Sequence, residues 1–373
     1  MEVVGPEVIQ GGYVVRVSMR PKREIYVFSE EDIEYYIRNE ILEKNISEKQ
    51  KKKKEKWIWE FLGELPKRNN EYYLSINEIE KYLKKLEKMK LKPRTMIKRV
   101  RQLKNFLHHF DPSIKEFDDI IDRKLEELSK TINAETRLKG VTVYKDHVTE
   151  FLRRLERLYE ERKVTEYTYQ KAVAFVLLGV STGRRVEEIS GMKVEWLNLE
   201  EGYIILPLKY TKEGKILGVK DGYKRIPLTE ETVAWLKFFL KKYGKFIQEK
   251  RDGYLFSSPE RKAGNPIFLH KLTKKFKKEL KFDIGGAQFE IKYLRKFFSQ
   301  EWERRGGNLY VKFELMGHSP RNINYLHYTR LGWKEINEEY RRVYYNLSVL
   351  TPDQRKLIAK YLSRKKRKRK KGK

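Results

Sequence analysis

Two stretches of this chain space their apolar residues three, four and three positions apart on a background crowded with lysine and arginine. Ile76, Ile79, Leu83 and Leu86 form one series; Val100, Leu103, Leu107 and Phe110 form the other, beyond Pro93, which suits the first position of a helix. Only a helix brings that spacing onto one face. Each series therefore predicts an amphipathic helix whose other faces carry Lys84, Lys85, Lys88, Lys98, Arg99, Arg101 and Lys104. On this basis residues 46–135 are expected to form an all-α domain. Ahead of it, Tyr13, Val15, Val17 and Met19 alternate as in a strand, and Ile25–Phe28 reads as a second. Ser29, with Asp32 three residues on, would cap a helix running to about Leu42. Residues 1–45 are thus expected to be a small β-hairpin and helix unit.

The pattern changes after a linker at 136–142, which contains Gly140. Residues 143–350 read as a mixed domain, mainly α with a small β-sheet (α+β). Two helices are expected near 145–161 and 165–181. Strands are expected at Tyr203–Leu208, Ile216–Val219 and Arg225–Leu228. Residues 351–373 read as a helix and a basic tail, and the run Arg364–Lys373 has nothing to bury.

Charge narrows the partners. Lys plus Arg number 84 against 53 acidic residues, a net +31; the tail holds nine of these charges, so 31 − 9 = 22 remain on the rest. Such an excess points to a polyanion, most often nucleic acid, because each neutralised phosphate releases a counterion. The absence of cysteine removes disulfides and thiolate metal sites. Abundant Lys and Glu with no Cys also suit a hot environment. The most apolar run, Ala172–Val180, is about half the length of a membrane span, and no signal-peptide pattern opens the chain. A soluble, cytoplasmic, nucleoid-associated protein is expected. Asp118, Asp119 and Asp122 are the tightest carboxylate group, but they fall near a helix start, where acidic residues are favoured. The histidines show no metal-ligand spacing, and no phosphate-binding Gly-Lys-Ser/Thr loop is present.

Four short pieces carry chemistry. Thr182-Gly183-Arg184-Arg185 is a glycine turn into a helix, where an arginine and backbone N–H groups can meet a phosphate. Lys212 ends a strand in Tyr210-Thr-Lys-Glu-Gly214. Lys292-Tyr-Leu-Arg295 puts two cations on one helical face. Leu315-Met-Gly-His-Ser319 is followed by Tyr325, His327 and Tyr328. In this order the set resembles the tyrosine recombinase (phage-type integrase) family over about residues 145–345. The helical stretch with Leu91-Lys-Pro-Arg-Thr-Met96 and Arg101–Leu107 looks like that family's core-binding domain. Three departures stand out: Lys292 where His is common, Met316 before Gly-His, and Tyr328 one residue late; the first and the last resemble archaeal virus and plasmid integrases. Tyr325 is the second candidate for the nucleophile.

The resemblance implies a 3′-phosphotyrosyl intermediate made by Tyr328. It places Arg185 and Arg295 on the phosphate, Lys212 at the leaving 5′ oxygen, and Lys292 and His318 beside them. Lys209, Lys215, Lys220 and Lys224 stay open as alternatives to Lys212. Neither metal nor ATP is implied. Double-stranded attachment sites are the expected partners, with a homotetramer on synapsed DNA, and Lys92, Arg94, Lys98, Arg101 and Lys104 are candidate DNA contacts. A type IB topoisomerase-like relaxing enzyme and a non-catalytic DNA-binding regulator are the competing readings.

Overall fold

The Ser29–Asp32 spacing does start a helix. Ser29 Oγ accepts the Asp32 amide at 3.1 Å, and the Asp32 carboxylate accepts the Ser29 amide in return. The computed structural model describes residues 7–9, 13–17, 24–44, 46–110, 115–138, 140–212, 214, 221–256, 267–318 and 331–362. In it the cap opens α1 (Glu30–Tyr36), which runs on into a π-helical stretch, Ile37–Leu42. Three antiparallel strands precede it: β1 (Glu7–Ile9), β2 (Tyr13–Val17) and β3 (Glu24–Ser29). After it come α2 (Glu48–Leu62), β4 (Lys67–Arg68), β5 (Glu71–Leu74), α3 (Ile76–Lys88), α4 (Pro93–Phe110) and α5 (Lys115–Leu138). The predicted apolar stripes face inward: Ile79, Leu83, Leu86, Val100, Leu103, Leu107 and Phe110 are all buried.

Two expectations change here. Residues 46–135 are not all-α, and residues 1–45 do not stand apart from them. β5 pairs antiparallel with β3, setting Phe28 opposite Tyr72, and the sheet runs β1-β2-β3-β5-β4. The physical reason is a shared aromatic core. Phe28 lies 4.9 Å from Phe110 and Tyr36 5.1 Å from Phe106, while Gln102 donates to the Tyr36 hydroxyl at 2.9 Å. Splitting the segments would expose these rings to water. The chain divides instead into units Met1–Gly140 and Val141–Lys373, at a point inside the predicted linker.

The second unit is built around α7 (Glu166–Thr182), whose residues from Tyr169 onward are all buried. The apolar run Ala172–Val180 is thus the centre of a core, and no described helix is long and apolar enough to cross a membrane. Beside it lie α6 (Lys145–Glu160) and the short α8 (Val186–Ser190). An antiparallel sheet β6-β7-β8 follows, with β6 Leu197–Asn198, β7 Tyr203–Pro207 and β8 Tyr223–Pro227. The strand expected at 216–219 lies outside the described residues. The remaining helices are α9 (Glu230–Arg251), α10 (Ile267–Lys275), α11 (Lys277–Leu280), α12 (Tyr293–Arg304), α13 (Leu309–Met316), α14 (Trp333–Val343) and α15 (Pro352–Leu362). The chain is therefore mainly helical with small sheets, as the sequence predicts for its second half.

The shared core of the first unit makes a direct prediction. Phe28→Ala should lower that unit's unfolding free energy by about 3–5 kcal/mol in urea titrations. Hydrogen exchange should show α4 losing protection along with β3. Protection lost from the strands alone would contradict a common core.

Candidate active site

A glycine ends each of two helices that converge on the site. Gly183 closes α7 at φ 59°, and Gly317 closes α13 at φ 62°. Both are left-handed conformations that glycine reaches without Cβ strain. At Gly183 a Cβ would also stand 2.3 Å from Phe298 Cδ1, so the backbone and α12 approach closely there. The carbonyls left open at these helix ends have one common partner. Arg295 Nη1, in the first turn of α12, donates to Gly183 O at 2.7 Å and to Met316 O at 2.9 Å. A guanidinium between two helix C-termini also meets the negative ends of both dipoles.

The same guanidinium reaches His318. Arg295 Nη2 lies 2.6 Å from His318 Nε2. Guanidinium has no acceptor, so Nε2 must accept and the ring proton must sit on Nδ1. The imidazole is therefore neutral. Burial, then the charges of Arg295, Arg185, Lys312 and Arg184, hold its pKa below the ordinary 6.5. Burial, and next the Arg185 charge, push Arg295 down to about 10, which leaves it cationic at neutral pH.

Glu188 organises the other half. Its carboxylate is buried on α8 and accepts from the Arg185 amide at 3.3 Å and Arg185 Nη1 at 3.1 Å. It also accepts the Lys212 amide at 3.3 Å, and Arg184 Nη1 lies 3.7 Å away. Burial pushes the Glu188 pKa up, but the charges of Arg184 and Arg185 with the two amides outweigh it and hold the group low. One carboxylate thus orients Arg185 and pins the chain at Lys212. Sequence reading did not single out Glu188. Its signal was the capping-box spacing, an acid at the third helical position after Arg185.

The sequence-predicted residues fall as follows. Arg185, Arg295, His318 and the Lys212 backbone come together. The Arg184 side chain is fully buried whereas Arg185 retains 25% exposure, so Arg185 is the one open to a ligand. Lys212 itself is exposed. Among its alternatives, Lys224 pairs with Glu314 at 3.1 Å and Lys209 lies over the Tyr210 ring, while Lys215 and Lys220 are outside the described residues. Lys292 precedes α12 on the same helical start as Arg295 and pairs with Glu290 at 2.7 Å. Tyr325, His327 and Tyr328 lie outside the described residues. The chain on the far side of them is anchored: the Tyr340 hydroxyl donates to Ser181 O at 2.8 Å and that of Tyr344 to Val180 O at 3.1 Å, fixing α14 to the last turn of α7.

In the first unit Lys92, Arg94, Lys98 and Arg101 are exposed, the last three on one stripe of α4. Lys104 departs from the expectation of a free cation. It meets Asp122 at 2.7 Å and Asp118 at 3.3 Å, and Asp118 also meets His108 at 2.7 Å. The acidic cluster is therefore an ion-pair partner for α4. No group of His, Asp or Glu among the described residues is arranged to hold a metal.

Comparison with known proteins adds a family. A model described as the phage integrase family matches residues 144–334. A tyrosine recombinase of Agathobacter rectalis is 23% identical over 262 residues, 67% of this chain and 76% of that protein. The tyrosine recombinase XerA of Pyrococcus furiosus is 26% identical over 170 residues; the match takes in 45% of this chain and about half, 52%, of the relative. Among solved structures, the Tn1549 transposon integrase in complex with transposon right end DNA shares the fold at TM-score 0.50 and 17% identity, over 82% of this chain and 97% of that one.

The neutral histidine is testable by NMR. The His318 ring should titrate below 6.5 in the wild type and move up toward 6.5 in Arg185→Gln. The folded state binds this proton more weakly than the unfolded chain. Acidification through 6.5 therefore favours unfolding, and this group's contribution to stability rises with pH across that window. A wild-type midpoint above 6.5 would contradict the site geometry.

Proposed function

The chain belongs to the phage integrase family, and from that premise we propose that it cleaves and rejoins DNA at specific sites through a covalent tyrosine linkage. The observation that carries the reading is the convergence of Arg185, the Lys212 backbone, Arg295 and His318 on two αL helix ends and one buried carboxylate, in the family's own order.

In the proposed reaction Tyr328 releases its phenolic proton to solvent and its oxygen attacks the scissile phosphorus. The Tyr–O–P bond forms, the P–O5′ bond breaks, and the products are a 3′-phosphotyrosine and a free 5′ hydroxyl. A phenol of pKa near 10 is only about one part in a thousand ionised at neutral pH, so it needs a cationic surround or a base. Arg185 and Arg295 supply permanent charge and paired donors to the non-bridging oxygens. Three of the five Arg295 N–H groups hold protein atoms or His318, which leaves Nε and one Nη2 hydrogen for phosphate. Neutral His318 offers Nδ1–H as a further donor, with Lys292 beside the same helix. The amide tie to Glu188 supports Lys212 as the acid that protonates the departing 5′ oxygen. Rejoining reverses these steps. The ester energy stays in the phosphotyrosine, so this scheme needs neither ATP nor a metal.

The basic stripe Arg94, Lys98 and Arg101, with Lys92, supports contacts of the first unit to duplex phosphates. Double-stranded attachment sites of a mobile element are the proposed substrates, synapsed by a tetramer. The Lys292 box and the late tyrosine suggest an element of archaeal type.

A nicked suicide duplex tests the chemistry. Wild type should form a denaturation-resistant adduct and Tyr328→Phe none; adduct from the mutant would move the nucleophile to Tyr325 or elsewhere. Joining of two different duplexes, rather than relaxation of one plasmid alone, separates a recombinase from a relaxing enzyme. For the first unit, replacing Arg94, Lys98 and Arg101 by alanine should weaken binding across sequences. The log-affinity against log-salt slope should shrink by about 0.9 per lost contact. An unchanged slope would remove this stripe from the interface.

A further inference from the structure

The second unit begins with an extended Val141-Thr-Val143 strap whose two valines are buried in its core, at 8% and 0% exposure. Its backbone is held by one helix. Gln300 Oε1 accepts the Val143 amide at 2.8 Å, and Gln300 Nε2 donates to Val141 O at 3.4 Å. Arg304 Nη2 donates to Val143 O, and its guanidinium lies 5.0 Å over the Tyr144 ring. The Gln300 amide acts here as a strand neighbour would, pairing donor to acceptor with residues two apart.

That helix is α12, which also carries Arg295. Gln300 follows Arg295 by five residues, about 7.5 Å along the axis. Leu294, Phe297, Phe298 and Trp302 are buried along it, so it is packed as a stiff rod into the core. Valine packing alone does not define where the strap sits. A slip of two residues would still put a valine in one of the two pockets and keep the same face inward. The polar pairing with Gln300 removes that ambiguity. Because the amide is uncharged, the hold does not weaken with salt as an ion pair would.

We propose that Gln300, supported by Arg304, is a positioning residue for strand cleavage, tying the chain that arrives from the first unit to the helix that places Arg295. The proposal rests on the cleavage reading above. Under it, DNA bound by the first unit sets the strap, and the strap sets the seat of Arg295 against the phosphate. Misplacement of such a group by about an ångström costs up to about 10²-fold in rate.

The experiment uses the full chain and two nicked duplexes. One is long enough to engage both units, and the other is cut back to the flank bound by the second. Single-turnover adduct formation is measured for wild type, Gln300→Leu and Gln300→Glu, the last retaining an acceptor for Val143. Wild type should cleave the long duplex faster than the short one. Gln300→Leu should cleave the long duplex about 10- to 10²-fold more slowly, at the short-duplex rate. Its short-duplex rate and its equilibrium binding of the long duplex should stay within about twofold of wild type, with Gln300→Glu intermediate. Equal losses on both duplexes would mean a merely structural role and overturn the proposal. So would an unchanged ratio, or a wild type indifferent to length. Wild type forming no adduct on either duplex would overturn the cleavage reading instead.

Discussion

The site depends on a single guanidinium lodged between two helix ends. Arg295 supplies donors to Gly183 O and Met316 O, the backbone carbonyls where α7 and α13 stop. Without it, both ends would bring unpaired carbonyls into a half-buried place, at a cost of about 1–3 kcal/mol each. The same contacts fix where the arginine can be. A surface arginine samples many rotamers, whereas these two carbonyls restrict the ones open to Arg295. That restriction is what preorganised charge requires, since donors that need not reorganise at the moment of reaction stabilise a transition state best.

Charge balance around that arginine explains the rest of the arrangement. Beside burial, the charges of Arg295, Arg185 and Arg184 hold the His318 pKa down, and those of Arg185 and Arg184 do the same to Arg295. Three cations in so small a volume would repel without compensation. Glu188 provides one buried negative charge, enough to hold Arg185 and the Lys212 amide and too little to neutralise the group. The site stays net positive, ready for an anion. His318 is kept neutral by the same field, which turns it from a fourth charge into a hydrogen-bonding group.

How much of this was legible in sequence follows from the range of each interaction. Local signals read well: the 3-4-3 stripes of α3 and α4, the Ser29–Asp32 cap, and the glycine turn before Arg185 each involve residues within a few positions of one another. Interactions across the chain did not. The pairing of Lys104 with Asp122, 2.7 Å away, has no local signal, and β3 reads as part of a separate unit until β5 is found beside it. Glu188 is the instructive case. Its spacing from Arg185 is local, but its burial and its tie to Lys212, 24 positions on, arise only in the folded chain. The order of Arg185, Lys212, Lys292, Arg295 and His318 could be recognised because it lies in residue types along the chain, whatever holds them in place.

The extent of the second hydrophobic cluster has a consequence for synthesis. Among the described residues the first unit's core ends by Ile132, so it can form while the rest of the chain is still being translated. The second cluster reaches from Val141 to Ile358 and includes Tyr340, Leu347 and Leu350. Its central helix α7 therefore emerges long before the residues that cover it. A ribosome-bound chain passes through a stage in which the first unit's core is complete and the core that carries Arg185 and Arg295 is not. Completion of that cluster waits on the arrival of Ile358, so an interrupted chain would carry the first unit beside an unfinished second core.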